Sequence, residues 1–442
     1  MRPLRLARAV VAALAAAAAL SALASCQVFV STEPGAGVGS ACRKDIDCQA
    51  SECISGVCAI PCEAGGDECP EGTLCTSAQL CQLPMRIASF YPGGAGQDWT
   101  LAHDDGFKAA ANALAYLTEV ETTSNVATPD AAAAAAADAV SRGFDAVFAA
   151  SSDWNGAMIG LAQQHPGVQF FTAGGGGGPG NHHGYYARLY KAWYLAGAAA
   201  AHVEPAPTRL GVVGSYVTPA VVRHINAFVR GARSVNDAIV TEVAWMHEWV
   251  DSTPTPVASD RELALALVAN GATVIAYHGY SRIAAEAIAA EPAGTWVIGN
   301  NYGLACDGNP RCLGTVYWTW GPLYSRLIDQ AHSASLGPNA GANDDIHVDP
   351  AQSVPNFAVH VDTLKEASDV LRAELAAEGG VGRPFAGPFC WTDGSPCVEA
   401  GQTLTDGDLA SMCKFVDGLV TRVGADDEPA LVPPEGDCTP AE

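Results

Sequence analysis

From residue 85 onward, short apolar runs alternate with longer segments of helical character. Glycine, proline or polar residues bound each apolar run, as is typical of strands that are buried on both faces. One helix start is well marked, because Thr128 supplies an N-cap, Pro129 suits the first turn and Asp130 favours the positive end of the helix dipole. Strands that alternate with helices predict an α/β fold with parallel sheets and helices on both faces. We expect strands at 86–91, 146–150, 168–171, 210–214, in the 240s before Met246, and at 273–276, 296–299 and 315–317. We expect helices at 98–117, from 128, and at 219–235, 260–270 and 281–290.

These strand–helix units are too many for one compact sheet, so the sequence predicts two Rossmann-like lobes. The segment 204–207 contains two prolines and is the expected break between them. A small module rich in cysteine precedes the lobes. The expected organisation is a lipoprotein signal peptide (1–25), a lipidated cysteine with a flexible tether (26–41), a disulfide module (42–82), a first lobe (85–206), a second lobe (207–315), and a return to the lobes with a disulfide-bearing extension (316–442).

The chain of 442 residues is acidic, with a formal net charge of −24 and only 16% charged residues. No cluster of basic residues occurs after the leader, whereas a nucleic-acid partner would need a positive face. The composition therefore argues against nucleic-acid binding, and it makes docking on an anionic membrane surface unfavourable.

The leader has the form of a secretory signal, with three early arginines, an apolar alanine-rich run and small residues before Cys26. The sequence Leu-Ala-Ser-Cys resembles the bacterial lipoprotein box, in which the signal is removed before the cysteine and the thiol carries lipid. We therefore expect a protein anchored through Cys26 on the outside of the cytoplasmic membrane, at the periplasmic face or in the outer membrane. An ordinary secretory signal with an incidental cysteine and an uncleaved anchor are the alternatives.

The chain has 15 cysteines, and setting Cys26 aside leaves 14, an even number that indicates disulfides outside the cytoplasm. Eight of them crowd a segment with few large apolar residues, so cross-links must hold that segment together. A zinc site is the alternative, but the cluster has no Cys-x2-Cys pair and no histidine. We expect no metal and no cofactor. The predicted disulfide cysteines are Cys42, Cys48, Cys53, Cys58, Cys62, Cys69, Cys75, Cys81, Cys306, Cys312, Cys390, Cys397, Cys413 and Cys438.

Tryptophans and polar side chains recur directly after the predicted strands. Ligands of open parallel sheets bind beyond the carboxyl ends of the strands, and flat rings beside hydrogen-bonding groups suit a planar, polar ligand. Core packing is the alternative for any single tryptophan, and we interpret Trp193 and Trp296 as core residues. His103 and His224 lie on predicted helices and indicate polar helix faces. The candidate ligand-binding residues from this pattern are Asp98, Trp99, Thr100, Asp153, Trp154, Trp249, His278, Asn301 and Trp318.

The sequence lacks the motifs that mark common enzyme classes. It has no Gly-x-Ser-x-Gly elbow, no His-Glu-x-x-His and no Gly-Lys-Ser/Thr phosphate loop. The glycine run 174–178 lies before His182 and His183 and indicates a loop, with a weak metal contact as the alternative. Carboxylates are too common in so acidic a chain to indicate a glycosidase. We therefore expect a binding protein and not an enzyme.

Residues 85 to about 335 resemble the basic membrane lipoprotein family, the purine- and nucleoside-binding lipoproteins of ABC importers. The resemblance rests on four motifs and does not include the cysteine-rich module. The motifs are residues 98–104 (DWTLAHD), 186–197 (YARLYKAWYLAG), 225–236 (INAFVRGARSVN) and 318–322 (WTWGP), and the segments 386–389 and 404–406 are similar to the family's C-terminal end.

The resemblance implies the type I periplasmic-binding-protein fold, in which two α/β lobes close on a ligand around a hinge. It implies that Trp99 stacks on the base and that Trp249 forms a second aromatic wall. It also places Arg188 and Asp153 at the site. Many relatives carry an acidic sugar contact where this chain has Gly303, so a purine base is favoured over a nucleoside. The implied partners are a small planar ligand and the permease subunits of an ABC transporter.

Two functions compete on this basis. The first is a solute-binding lipoprotein that delivers a purine-like ligand to a permease. The second is a surface receptor or interaction lipoprotein that keeps the fold and works through its cysteine-rich module. The extra module favours the second function slightly, because a simple importer subunit does not need it. Adjacent permease and ATPase genes would favour the first.

Overall fold

The structure, a computed structural model, describes residues 52–54, 57–63, 69, 71–76, 79–247, 259–279, 282–290, 294–333, 346–348, 355–378, 381–422 and 438. The chain divides into two compact units, residues Met1–Leu83 and Pro84–Glu442. The predicted signal peptide, the Cys26 anchor and the tether lie outside the described residues, as do Cys42 and Cys48.

The first unit contains a small antiparallel sheet, and disulfides hold it together. Cys62 is bonded to Cys75 and Cys69 to Cys81, and Cys58 is also disulfide-bonded. Disulfide sulfurs cannot act as zinc thiolates, so these pairs support the disulfide interpretation. The sheet has the order β1-β2-β4-β3, from strands β1 (Glu52–Ile54), β2 (Val57–Pro61), β3 (Leu74–Cys75) and β4 (Leu80–Gln82).

The first lobe of the second unit is a parallel sheet of six strands, in the order β15-β9-β8-β7-β5-β6. Successive residues of a strand face opposite sides of the sheet. Ile87 and Phe148 therefore lie in the core cluster on one side, and Phe90 and Val147 lie in the cluster on the other. The strands are β5 (Met85–Phe90), β6 (Leu117–Thr123), β7 (Ala146–Ala149), β8 (Gln169–Ala173), β9 (His182–Ala187) and β15 (Ile346–Val348), and the helices are α1 (Asp98–Ala113), α2 (Pro129–Ser141), α3 (Asn155–Gln164) and α8 (Gly321–His332).

The second lobe is a sheet of seven strands in the order β16-β14-β13-β12-β10-β11-β17, parallel except for the pairing of β14 with β16. Helices α4 and α5 cover one face, and α6 and α7 cover the other. The strands are β10 (Arg209–Gly214), β11 (Val240–Trp245), β12 (Val274–Tyr277), β13 (Trp296–Asn301), β14 (Cys312–Trp318), β16 (Pro355–Val359) and β17 (Leu419–Arg422), and the helices are α4 (Tyr190–Ala201), α5 (Pro219–Val235), α6 (Asp260–Ala269), α7 (Ile283–Ala289), α9 (Asp362–Glu378) and α10 (Asp406–Ala410).

The two parallel sheets confirm the predicted type I periplasmic-binding architecture. The chain passes from the first sheet to the second between β9 and α4, because α4 packs on α5 and on β14 and β16. It returns after β14, because α8 packs on α1. The proline-containing segment 204–207, where we expected the lobe boundary, is the connection between α4 and β10. The lobe boundary therefore lies earlier than expected, near residue 188.

Helices α4 and α5 approach each other closely because glycines lie at their contact. A Cβ atom on Gly197 would lie 2.0 Å from the carbonyl oxygen of Phe228, and one on Gly231 would lie 2.0 Å from that of Tyr194. Only glycine permits this backbone approach. The two helices carry the motifs at 186–197 and 225–236, so those motifs have a packing role.

Several element boundaries differ from the prediction. The first helix ends at Ala113 rather than at 117, because Leu114 has an extended backbone conformation. The Tyr116 carbonyl then accepts a hydrogen bond from the Met85 N–H. Helix α7 covers Ile283–Ala289, which is shorter than the expected 281–290. Within the second unit, five of the described strands were not expected, namely β6, β9, β15, β16 and β17. Strand β9 includes His182 and His183, whose side chains alternate across the sheet.

Disulfides also secure the second unit, as the cysteine count predicted. Cys306, in the loop between β13 and β14, pairs with Cys312, the first residue of β14. Cys390 pairs with Cys397, and Cys413 pairs with Cys438. The two cysteines of the last pair are separated by 25 positions in the sequence, and β17, the edge strand beside β11, lies between them.

Candidate functional site

Aromatic rings from both lobes meet at the carboxyl ends of the two sheets. Trp318 ends β14 of the second lobe, and its ring lies 5.2 Å from that of Tyr186, in β9 of the first lobe. The Trp318 ring stacks on that of Trp320, the residue directly before α8, with ring centroids 4.6 Å apart. Trp99, in the first turn of α1, contacts Trp318 edge-on with a centroid separation of 6.0 Å. Two of the four predicted tryptophans, Trp99 and Trp318, therefore meet where the lobes adjoin.

Trp99 is held by more than ring contacts. Its indole N–H donates to the Ala150 carbonyl at 3.0 Å, and His103 lies edge-on at 4.3 Å. Only 7% of Trp99 is exposed. His103, which we interpreted as a polar helix-face residue, is buried and shares a hydrogen bond with the Tyr324 hydroxyl.

Asp98 and Thr100 lie beside Trp99 and are fully buried. Oδ1 of Asp98 accepts a hydrogen bond from Nε of Arg282 at 2.8 Å and forms an ion pair with Nη2 of the same side chain at 2.7 Å. Oδ2 of Asp98 and Oγ1 of Thr100 have no hydrogen-bond partner within the described part of the chain. Burial raises the pKa of Asp98 to about 6, against the opposing effect of Arg282. Such buried polar atoms in the first turn of α1, the helix that follows β5, are suited to ligand contact.

Asn301 positions Trp318. It adopts a left-handed backbone conformation, with φ of 68°, at the end of β13. Its Oδ1 accepts from the Trp318 indole N–H at 3.1 Å, and its Nδ2 donates to the Gly279 carbonyl at 3.2 Å. Both amide atoms are therefore engaged, and Asn301 orients an aromatic wall.

His278 follows β12 and belongs to a buried imidazole pair. Its Nε2 lies 2.9 Å from Nδ1 of His224, and its Nδ1 lies 3.3 Å from the Ser215 hydroxyl. The Trp193 ring stacks on His278 at 5.4 Å. Burial lowers the pKa of His278 to about 4 and that of His224 well below its ordinary value. Both imidazoles are therefore neutral near pH 7.

The sequence interpretation missed this pairing. His224 was expected on a polar helix face, yet it is buried against β12. Trp193 is buried, as its interpretation as a core residue predicts, but it stacks on imidazoles. The alternation of polar His224 with apolar neighbours on α5 gave no sign that it would contact a residue 54 positions away.

Four predicted site residues have other surroundings or lie outside the described part of the chain. Nε and Nη2 of Arg188 donate to Oδ1 and Oδ2 of Asp406, at 3.2 and 2.7 Å, which ties the end of β9 to the C-terminal extension. Asp153 is exposed, and Trp154 is buried in the core cluster that contains Phe90. Trp249 lies outside the described residues.

The two histidines that follow the glycine-rich loop have separate hydrogen-bond partners. Nε2 of His182 lies 3.0 Å from Oγ1 of Thr172, and Nε2 of His183 lies 2.9 Å from Oε1 of Gln169. The two imidazoles therefore bond to separate side chains of β8. The glycine run 174–178 is a loop, as the sequence predicted, and both histidines lie in β9, which follows it.

None of the helices in the described ranges has both the length and the apolar character needed to cross a bilayer.

The comparisons with known proteins agree with this architecture. The model of the family described as "ABC transporter substrate-binding protein PnrA-like" matches residues 85–346. A purine-binding protein of Brucella abortus (strain 2308) is 27% identical over 356 residues, which cover 79% of this chain and 96% of that protein.

Two further matches concern sugar transport and the fold. A protein of Haloferax volcanii named as an ABC transporter glucose-binding protein is 33% identical over 243 residues, or 55% of this chain and 59% of that protein. The solved structure of an ABC transporter solute-binding protein from Conexibacter woesei DSM 14684 is 19% identical, has a TM-score of 0.53, and is matched over 66% of this chain and 96% of that one. Since the family model covers more than half of the sequence, the chain belongs to the family of PnrA-like substrate-binding proteins of ABC transporters.

Proposed function

We propose that this protein captures a purine base between its two lobes and delivers it to the permease of an ABC importer. The observation that carries the proposal is the meeting of Trp99, Tyr186 and Trp318 from both lobes at the carboxyl ends of the sheets. Aromatic faces beside buried polar atoms are the features that a planar, hydrogen-bonding ring needs. The similarity to a purine-binding protein supports the same ligand class.

A base is favoured over a nucleoside because of the residue at position 303. Gly303 offers no carboxylate for ribose hydroxyls, and a Cβ atom there would lie 3.4 Å from the Tyr317 ring. Ribose hydroxyls that enter a closed cleft lose water and need new partners. Asp98 is paired with Arg282, which leaves only its Oδ2 for a ligand.

A sugar is the second candidate, because the Haloferax volcanii relative is named as glucose-binding. Sugars also pack on aromatic rings, so the tryptophans alone do not decide between the two ligands. The discriminating property is planarity, since both faces of a base can contact rings at once.

Calorimetric titration of the mature protein with adenine, guanine, hypoxanthine, their nucleosides and glucose tests this function. We expect the bases to bind more tightly than the nucleosides and glucose not to bind. Tighter binding of nucleosides would contradict the preference for a base. Binding of glucose alone would establish the sugar function, and binding of no member of the panel would favour the receptor function.

We also propose that lipid on Cys26 tethers the mature protein. The basic and apolar leader before Leu-Ala-Ser-Cys supports this. Cys26→Ser should move the protein to the soluble fraction and abolish incorporation of labelled fatty acid. If the Cys26→Ser variant stays membrane-bound and the wild type incorporates no labelled fatty acid, the proposed lipid anchor is wrong.

A further inference from the structure

Four buried polar side chains gather where the second sheet meets α4 and α5. They are Trp193, His224, His278 and Asn300, and we call them the buried polar cluster. The Trp193 ring stacks on His278 at 5.4 Å and on His224 at 6.3 Å. The backbone of His278 continues the strand ladder, donating to the Val213 carbonyl at 2.8 Å.

Asn300 joins this cluster through the register of the sheet. Strands β12 and β13 run parallel, with Ala276 opposite Ile298. Two residues further along each strand, His278 and Asn300 therefore lie side by side on the same face. That face is the one that Ala276 and Ile298 present to the core cluster containing Trp193.

Most polar atoms of this cluster lack partners. The Trp193 indole N–H, Nε2 of His224 and both amide atoms of Asn300 have no hydrogen-bond partner among the residues that the structure covers. Trp193 and Asn300 are fully buried, and His224 is 1% exposed. Buried polar groups without partners are rare because they lose the hydrogen bonds that water would give. His278 differs, since Ser215 and His224 occupy both of its ring nitrogens.

We propose that Trp193, His224 and Asn300 determine specificity by holding the polar edge of the ligand. This inference rests on the proposed function. The carboxamide offers a donor and an acceptor side by side, and the indole only donates. The matching ligand edge carries an acceptor together with an adjacent donor–acceptor pair, as the substituted edge of a 6-oxopurine or 6-aminopurine does.

The cluster adjoins the boundary between the lobes, which gives a ligand a route to it. Tyr186, from the first lobe, stacks on His224 at 6.4 Å. Tyr186 also contacts Trp318, so the cluster and the aromatic rings form one continuous surface. Separation of the lobes would lift Tyr186 away and uncover the cluster.

The test removes polar atoms from the cluster, and Asn300→Leu does so with a side chain of similar shape. Asn300→Leu should weaken the binding of hypoxanthine and adenine by at least about tenfold, so that neither binds more tightly than unsubstituted purine. The same variant should raise the melting temperature of the ligand-free protein, because it removes an amide buried without partners. Trp193→Phe keeps a stacking ring and should weaken the binding of the bases by about fivefold.

Thr241→Val is the matched control. Oγ1 of Thr241 is also buried without a partner in the described chain, but it lies at the start of β11, at the opposite end of the sheet. This control should raise the melting temperature without changing the affinity.

Each result has a separate meaning. If wild type binds purines and both cluster variants bind all three ligands as wild type does, the inference is wrong and the proposed function stands. An Asn300→Leu protein with a lower melting temperature and unchanged ligand ranking would give the cluster a structural role only. A wild type that binds no purine contradicts the proposed function, and this inference with it.

Discussion

The carboxylate of Asp98, at the start of α1, accepts a hydrogen bond from Nε of Arg282, directly before α7, and forms an ion pair with Nη2 of the same guanidinium. Asp98 belongs to the first lobe and Arg282 to the second, so this ion pair joins the lobes. A second contact lies nearby, where the Tyr302 hydroxyl donates to Asp105 of α1 at 2.8 Å. Both contacts use one face of α1, because the two acids are two helical turns apart. Together they favour the closed arrangement of the lobes.

Loss of the interlobe ion pair should speed ligand release. Arg282→Ala leaves the buried Asp98 carboxylate without its partner, which favours separation of the lobes. Because the Arg282 side chain is 36% exposed, we expect a coupling energy of only about 1 kcal/mol in a double-mutant cycle with Asp98→Asn. Stopped-flow measurement should show ligand dissociating several-fold faster.

Arg142→Ala provides the control for that experiment. Arg142 pairs with Glu121 at 2.6 Å, and both residues lie within the first lobe. Its loss should leave the dissociation rate unchanged. Equal dissociation rates for Arg282→Ala and wild type would mean that the Asp98 pair does not hold the lobes together.

Asp98 should also give the protein a characteristic pH dependence. Burial raises its pKa from 3.8 to about 6. Between these values the folded protein holds a proton that the unfolded chain has released, so this group's contribution to stability falls as the pH rises. The free energy of unfolding of Asp98→Asn, relative to wild type, should therefore increase by about 3 kcal/mol between about pH 4 and pH 6. Urea unfolding across this range measures it, and a difference that does not vary with pH would contradict the raised pKa.

The contact between α4 and α5 should not accept a methyl group. In Gly231→Ala the new Cβ would meet the Tyr194 carbonyl oxygen at 2.0 Å, so the helices must separate, at a cost of about 3 kcal/mol. Gly160→Ala, in the middle of α3, is the control, because no atom lies within 4 Å of its added Cβ. That change should stabilise the protein by about 0.5–1 kcal/mol. Thermal unfolding compares the two variants, and similar melting temperatures would contradict the close packing.

The C-terminal disulfide should contribute more stability than the one beside the site. Cys413 and Cys438 span a separation of 25, whereas Cys306 and Cys312 span 6. In the loop-entropy account, replacing the first pair by serines costs about 1 kcal/mol more than replacing the second. Chemical denaturation of the two double variants tests this order. Peptide mapping without reduction verifies the pairs, and linkage between cysteines of different pairs would contradict the described connectivity.

The sequence predicted the fold well because local signals agreed with tertiary structure. Thr128 caps α2 through the N–H of Ala131, and helix α5 occupies the predicted Pro219–Val235. Prolines at the first turn and short apolar strands fix such elements locally. Strand β9 was missed because its polar sequence, with two histidines, lacks an apolar run.

The site was harder to predict because the partner of a side chain depends on distant residues. The motif containing Arg188 was recognised, but its ion pair with Asp406 joins residues 218 positions apart. Trp193 and His224 were interpreted from their helices alone, and their contact with His278 follows from how α4 and α5 cover the sheet. Trp99 and Trp318 were identified because each follows a predicted strand, which is a feature that sequence can show.

The most direct test of the whole account is a crystal structure of the mature protein with the purine base that binds most tightly. We expect the base between the lobes, in contact with the Trp318 ring and the Asn300 carboxamide, with Asp98 and Arg282 still paired across the boundary. A base bound elsewhere on the molecule, or electron density for no base at saturating concentration, would contradict the account.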